Sequence, residues 1–305
     1  MAEFSIIEQY FTRPFTQQDD IGIGDDSAIL TPPTNQQLVI CTDTLVAGRH
    51  FPLETSAHAV GWKSVAVNLS DIAAMGAKPH SILLALSLPN IDHDWLQGFS
   101  QGLFDCCDRF GVALIGGDTT QSAHLTITVT ALGYIESGQA ICRSGARAGD
   151  YIVVSGQVGD AAYGLQHLGG ALQSRLDYPT PRCELGQTLK GLASSMIDVS
   201  DGLAQDLDHI LKASNVGAKI FLDQLPLDPA VQALPNQQKW QYALAGGDDY
   251  ELCFTISPQN YEKLLQQQLN VKITMIGLIT QTTDLIFEHD GQNHPVQFHG
   301  YQHFA

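Results

Sequence analysis

The sequence predicts an α/β fold organised in two domains. Its 305 residues exceed what a single hydrophobic core usually spans. Helix-like and strand-like segments alternate through both halves, the pattern of sheets flanked by helices. Short aspartate–glycine turns recur where strands end, which is where α/β folds place their ligands.

In chain order, Leu38-Val39-Ile40-Cys41 reads as a strand that delivers Asp43 at its carboxyl end. Ala57–Met75, rich in alanine and valine and followed by Gly76, reads as a buried helix carrying Asp71 near its end. Ile91–Gly111 is the clearest helix. Asp92 can cap it, Leu96, Phe99, Leu103, Cys107 and Phe110 recur at helical spacing, and Gly111 can end it. Val112–Ile115 then reads as a buried strand running into a Gly116-Gly117-Asp118 loop. Leu125–Ala131 alternates apolar residues with Thr126, Thr128 and Thr130, a half-buried strand. The turn-rich stretch Ser137–Asp150 separates this half from the next, so domains of 1–140 and 141–305 are expected. Beyond it, strands are expected near 151–155, 218–223, 251–257 and 272–279, and helices near 160–170, 184–195, 202–213 and 258–269.

Composition narrows the function. Charged residues make up 15%, against about 25% in ordinary soluble proteins. Within that sparse set 32 acids face 15 bases, a net charge of −17. A chain so acidic lacks the basic footprint that nucleic acid or an anionic membrane requires. No apolar run approaches the roughly 18 residues needed to span a bilayer. Met1–Phe11 has no basic segment of the signal-peptide kind, and the six cysteines show no C-x-x-C spacing. Reduced thiols and a cytoplasmic location are expected.

Six runs place aspartate beside glycine or another small residue. They are Gly24-Asp25-Asp26-Ser27, Cys41-Thr42-Asp43-Thr44, Asn68-Leu69-Ser70-Asp71, Gly117-Asp118-Thr119-Thr120, Asp198-Val199-Ser200-Asp201-Gly202 and Gly246-Gly247-Asp248-Asp249. Crowded carboxylates repel one another, so stability alone does not select them. Oxygen ligands suit Mg²⁺, and small neighbours let backbone and phosphate come close. The chain has no G-x-x-x-x-G-K-[ST], no kinase-type glycine-rich loop with a following strand lysine, and no H-E-x-x-H. A nucleotide enzyme built this way leaves phosphate neutralisation to metal ions.

Blander readings stand beside these. Asp201 before Gly202-Leu203 can be a helix cap, Asp25 and Asp26 can form an Asx turn, and Asp249 can be a solvated turn as readily as a ligand. His50 has no metal-spaced partner, Arg143 and Arg147 can be surface cations, and Tyr301 can be a packing residue.

The motifs GIGDDSA (22–28), CTDTLVAGRHF (41–51), KSVAVNLSDIAAMGAKP (63–79), GGDTT (116–120), RSGARAGD (143–150), IDVSDGLAQDL (197–207), GGDDYELCF (246–254) and GYQHF (300–304), in this order, closely resemble the thiamine-monophosphate kinase family. That family lies within the ATP-binding superfamily of aminoimidazole ribonucleotide synthetase. The resemblance implies a mixed-sheet α/β N-terminal domain pairing its sheet across a homodimer, and a C-terminal α+β domain closing over the active site. It implies ATP-dependent phosphorylation of thiamine monophosphate to thiamine diphosphate with several Mg²⁺ ions; because such an acceptor is already an oxyanion near neutral pH, direct in-line transfer without a phosphoenzyme is expected. Asp26, Cys41, Thr42, Asp43, Asp71, Asp118, Asp198 and Asp201 match its metal positions. Gly117, Asp118, Arg143 and Ser200 match ATP contacts, and His50, Asp248 and Tyr301 match positions lining the thiamine phosphate site. Asp43, Asp71, Asp118 and Arg143 are the residues expected to carry catalysis. Arg49, Asp248 and Cys41 depart from the residues frequent in relatives, which are a smaller or uncharged residue, glutamate and serine respectively. Another enzyme of the superfamily and a non-enzymatic divalent-cation-binding protein are the alternatives.

Overall fold

The structure, a computed structural model, describes residues 2–13, 20–294 and 300. The chain divides into two units, one of Met1–Ile72 with Ala77–Gly138 and one of Ala73–Gly76 with Gln139–Ala305. Among the described residues no helix is long and apolar enough to cross a membrane.

The first unit is built on strands β1 (Gln36–Val46), β2 (Lys78–Leu88), β3 (Ala113–Gln121) and β4 (Thr126–Glu136), ordered β1-β4-β2-β3. β4 runs antiparallel to β1 and β2, whereas β3 lies parallel to β2. Its helices are α1 (Ala2–Ile6), α2 (Ala57–Ala74) and α3 (His93–Phe110). α3 provides the crossover that a parallel β2–β3 pair requires. Asp92 Oδ1 caps it by accepting from the N–H groups of Asp94 and Trp95, both at 3.0 Å, and Gly111 ends it in the left-handed region. Every residue of α2 from Ala59 to Ser70 is buried, so this helix is apolar nearly all round instead of amphipathic.

One sheet face forms the core with Leu84, Leu86, Ile127, Val129 and Ala131. The other is open. On β1, Leu38, Ile40, Thr42 and Thr44 are exposed while Cys41, Asp43 and Leu45 between them are more buried. Across this open face Thr42 Oγ1 meets Thr130 Oγ1 at 3.0 Å and Thr44 Oγ1 meets Thr128 Oγ1 at 2.8 Å. Two expectations are corrected here. β1 and β3 do not stop before their aspartates but run on through them, so Asp43 and Asp118 stand within strands. Both are edge strands, which tolerate glycine and aspartate better than central ones do.

The second unit carries β5 (Tyr151–Ser155), β6 (Ala193–Asp198), β7 (Gly217–Phe221), β8 (Leu252–Ile256), β9 (Ile273–Thr280), β10 (Leu285–His289) and β11 (Gln292–His294), in the order β11-β10-β7-β9-β5-β8-β6. β10 and β7 are parallel and the other pairs antiparallel. Its helices are α4 (Asp160–Gln166), α5 (Gln173–Asp177), α6 (Cys183–Thr188), α7 (Leu203–Ser214), α8 (Pro229–Gln232), α9 (Asn236–Ala245) and α10 (Pro258–Leu265). A core of Val154, Ile197, Leu207, Ile210, Trp240 and Leu244 joins the sheet to α7 and α9. The helix expected over 184–195 is α6 alone. Ala193–Asp198 is strand β6, a short apolar run that periodicity cannot tell from helix. Both units are mixed α/β.

Candidate active site

Asn68 organises the first acidic group. Fully buried on α2, it accepts from the Asp43 N–H through Oδ1 at 3.0 Å and from Cys41 Sγ through its carbonyl at 3.3 Å. Its Nδ2 donates to the Ser64 carbonyl at 3.1 Å, which fixes the amide. Asp71 follows three residues later on the same helical face. Burial pushes the Cys41 thiol up, and the charges of Asp71 and Asp43 push it further. The thiol stays protonated and donates to Asn68, so the donor chemistry of the group is that of its carboxylate oxygens, which suit a hard cation. The Thr42 hydroxyl is elsewhere, donating to the Val129 carbonyl at 3.1 Å on the open face.

At the end of β1 the chain turns tightly. Gly48 N–H donates to the Phe51 carbonyl at 2.9 Å, and His50 N–H to the Val46 carbonyl at 3.0 Å. His50 Nδ1 accepts from the Val46 N–H at 2.9 Å, which leaves the neutral ring's proton on Nε2. Lys63, 1% exposed, donates through Nζ to the His50 carbonyl at 3.3 Å.

A second acidic group lines a cavity of about 1010 Å³ in the same unit, where Asp26, Gly117 and Asp118 share a wall with Leu83, Leu84 and Phe11. Asp25 turns its Oδ1 back to accept from the Asp26 N–H at 3.0 Å, a contact one residue on that is not an Asx turn, and Asp25 and Asp26 both line the cavity. Gly117 has φ +151°, and a Cβ there would stand 1.8 Å from the Leu84 carbonyl oxygen. No other residue fits. β1 and β3 are opposite edges of the sheet, three strand spacings or about 14 Å apart. Asp43 and Asp71 are not among the residues lining the cavity.

In the second unit, β6 ends on Asp198, 4% exposed. The next turn is held from behind by Asp206, whose Oδ2 accepts from the N–H groups of Ser200, Asp201 and Gly202 at 3.0, 3.0 and 3.1 Å. Burial pushes the Asp206 carboxyl up to about 7, against the pull of those donors. Asp201 is not the helix cap. Gly202 occupies that position with φ 120°, and Asp201 Oδ2 accepts from Gln205 Nε2 at 3.3 Å.

The GGDDYE segment lies alongside, with Asp248 N–H donating to the Ser200 carbonyl at 2.9 Å and Tyr250 N–H to the Val199 carbonyl at 2.8 Å. Asp248 Oδ1 accepts from the Tyr250 hydroxyl at 3.0 Å. Asp249 is no solvated turn. It is 3% exposed and accepts from the N–H groups of Gly159 at 2.6 Å and Ala161 at 3.2 Å, capping α4, while burial pushes its carboxyl well up. Gly300 reaches the same place, since a Cβ on it would come 2.5 Å from the Asp201 carbonyl. Tyr301 lies outside the described residues.

Arg143 is exposed on a loop wound round the Ser214 hydroxyl, which accepts from the N–H groups of Gly145 and Ala146, both at 3.1 Å, and donates to the Arg143 carbonyl at 3.3 Å. Among the described residues the group whose ligand atoms all lie within 4.8 Å of one another is Asp223, His289 and Asp290, outside every motif. Among the described residues no three motif aspartates lie that close together.

The first unit is thus a mixed-sheet α/β domain with aspartates on its strands and a Gly-Asp cavity. Residues 24–135 match the family described as AIR synthase related protein, N-terminal domain. The chain is 45% identical to the thiamine-monophosphate kinase of Escherichia coli (strain K12), over 100% of this chain and 98% of that protein. It is similar to the crystal structure of thiamine-monophosphate kinase from Stenotrophomonas maltophilia K279a, with TM-score 0.87 and 43% identity over 96% of this chain and 98% of that one. AaThiL complexed with AMPPCP and TMP is 30% identical, with TM-score 0.78 and 92% of each chain covered. The chain belongs to the thiamine-monophosphate kinase family.

Proposed function

We propose that this protein transfers the γ-phosphoryl group of ATP to the phosphate of thiamine monophosphate, giving thiamine diphosphate and ADP. The observation that carries the reading is its full-length likeness to thiamine-monophosphate kinases, one of them solved with AMPPCP and TMP. Residues 1–140 act as the metal- and ATP-binding and dimerisation domain. There Asp26, Asp43, Asp71 and Asp118 hold Mg²⁺ through carboxylates and Cys41 and Thr42 through backbone carbonyl oxygens, Gly117 and Asp118 receive ATP, and His50 meets thiamine monophosphate. In residues 141–305, Asp198 and Asp201 hold Mg²⁺, Arg143 and Ser200 contact ATP, and Asp248 and Tyr301 meet the acceptor.

When bound, Mg²⁺ supplies the charge neutralisation that lets two polyanions approach. The chain's own work is positioning. Asn68 holds Asp43 at fixed geometry, and the missing side chain of Gly117 lets β3 press against the Leu84 backbone, which sets Asp118 at the cavity wall. The Val46 N–H holds the His50 ring at Nδ1, in the tautomer with its proton on Nε2, and Ser214 braces the loop that carries the Arg143 guanidinium. The acceptor oxygen is already anionic near neutral pH, so no side chain need act as strong base, and transfer is direct and in line. A homodimer forms through the open sheet face, where Leu38 is 44% and Ile40 58% exposed. Incubation with ATP, Mg²⁺ and thiamine monophosphate tests the reading. Thiamine diphosphate and ADP in equal amounts are expected, and turnover of a different acceptor with no thiamine diphosphate would overturn it.

A further inference from the structure

We infer that Asp206 is the positioning residue that commits the Asp198–Gly202 loop to divalent cations and closes it to direct phosphate binding. A loop leading from a strand into a helix start ordinarily presents free N–H groups at the positive end of the helix dipole, an anion site. Here three consecutive N–H groups, of Ser200, Asp201 and Gly202, converge on one oxygen of Asp206. Asp206 is the fourth residue of α7, a helix of twelve, and is 3% exposed. Its carboxylate stands where a bound phosphate stands in an anion-binding helix start.

Two consequences follow from this placement. The loop's backbone N–H groups are spent on the protein's own carboxylate, so its charged groups toward a ligand are the acids Asp198 and Asp201, Ser200 keeps only its hydroxyl for ATP, and a polyphosphate's charge is drawn there through a cation. The same three bonds fix three successive peptide planes, which sets the spacing of Asp198 and Asp201 in advance of binding. Asp248 is included, because its N–H donates to the Ser200 carbonyl at 2.9 Å. Cation binding at Asp198 and Asp201 is taken from the proposed function, so the test reads binding and not turnover.

The experiment is Mn²⁺ binding to the full-length protein by electron paramagnetic resonance, without thiamine monophosphate, together with ATP binding in metal-free buffer. Asp206→Ala is expected to weaken Mn²⁺ binding about 10–100-fold, as removal of a metal site's outer partner does. In metal-free buffer its affinity for ATP should rise about threefold or more, because three N–H groups are freed at a helix start. Asp208→Asn, a half-buried acid paired with Lys212 on the same helix, should change neither. Mn²⁺ affinity within about twofold of wild type, or a loss of it with no gain for metal-free ATP, overturns the inference and leaves a merely structural Asp206. Should Asp206→Ala fail to fold, Asp206→Asn decides, with the same directions and about three- to tenfold effects from the lost charge. Wild-type protein that makes no thiamine diphosphate but shows the expected Mn²⁺ pattern fails the kinase reading alone.

Discussion

Glu251→Gln perturbs the most heavily tied buried charge beside the GGDD turn. Glu251 is fully buried. Its Oε1 accepts from Arg175 Nη2 at 2.7 Å and from Arg182 Nη2, and its Oε2 accepts from Arg182 Nε and the Ser155 hydroxyl, both at 2.6 Å. Its carbonyl accepts from the Val199 N–H at 2.8 Å, which joins β8 to the Asp198–Gly202 turn. The glutamine keeps the shape but leaves two guanidinium groups without their shared anion. Breaking a buried ion pair from one side costs about 3–5 kcal/mol. The second unit has 171 residues, 4 from Ala73–Gly76 and 167 from Gln139–Ala305. At about 2–4 °C per kcal/mol for that size, the unfolding midpoint should fall by about 6–20 °C. Thermal unfolding followed by near-ultraviolet circular dichroism reads it. Replacing Glu251, Arg175 and Arg182 together with methionine, and Asp160, which pairs with Arg175 at 3.4 Å, with asparagine, should recover much of the loss, because the desolvation cost then disappears with the charges. A midpoint for Glu251→Gln within about 2 °C of wild type would refute the reasoning.

Three further outcomes are expected. Asp71→Asn should fold normally and lose activity most severely at low Mg²⁺, and near-normal turnover at limiting Mg²⁺ contradicts its metal role. Ile40→Glu puts a charge on the open sheet face and should shift sedimentation from dimer to monomer, whereas an unchanged dimer places the interface elsewhere. The third outcome concerns pH. Asp160 is fully buried, and burial, against Arg175, pushes its carboxyl from 3.8 to about 6. Between those values the folded chain keeps a proton that the unfolded chain has released, so this group's contribution to stability falls as pH rises through the window. The gap, at about 1.4 kcal/mol per unit, is worth about 3 kcal/mol. Asp160→Asn, which cannot titrate, should lose that slope in urea unfolding between pH 4 and 6, and parallel pH profiles for the two proteins would count against it.

Legibility in the sequence followed the range of the forces involved. α3 could be read because its caps, Asp92 and Gly111, and its apolar face are all local. The acidic runs could be read because cation chemistry narrows residue type whatever the fold. β1 and β3 were cut short because aspartate and glycine disfavour strands, yet pairing with β4 and β2 carries the backbone straight through. α9 was overlooked because Asn236–Ala245 has little apolar periodicity, its burial resting on Trp240, Ala243 and Leu244. The bracing residues were the least visible. Asn68, Glu251 and Ser214 act on backbone 25, 52 and 69 residues away in the cases of Asp43, Val199 and Gly145, distances no local pattern reports. Asp206 lay inside a recognised motif but reads as an ordinary polar residue of a helix until its three donors are seen.

Direct, cation-assisted transfer between two bound anions is tested most sharply by its stereochemistry. ATP made chiral at the γ-phosphorus, turned over with thiamine monophosphate, should yield thiamine diphosphate inverted at that phosphorus, the signature of a single in-line displacement. Retention of configuration would mean two displacements through a phosphorylated enzyme, and would contradict a site that works by positioning alone.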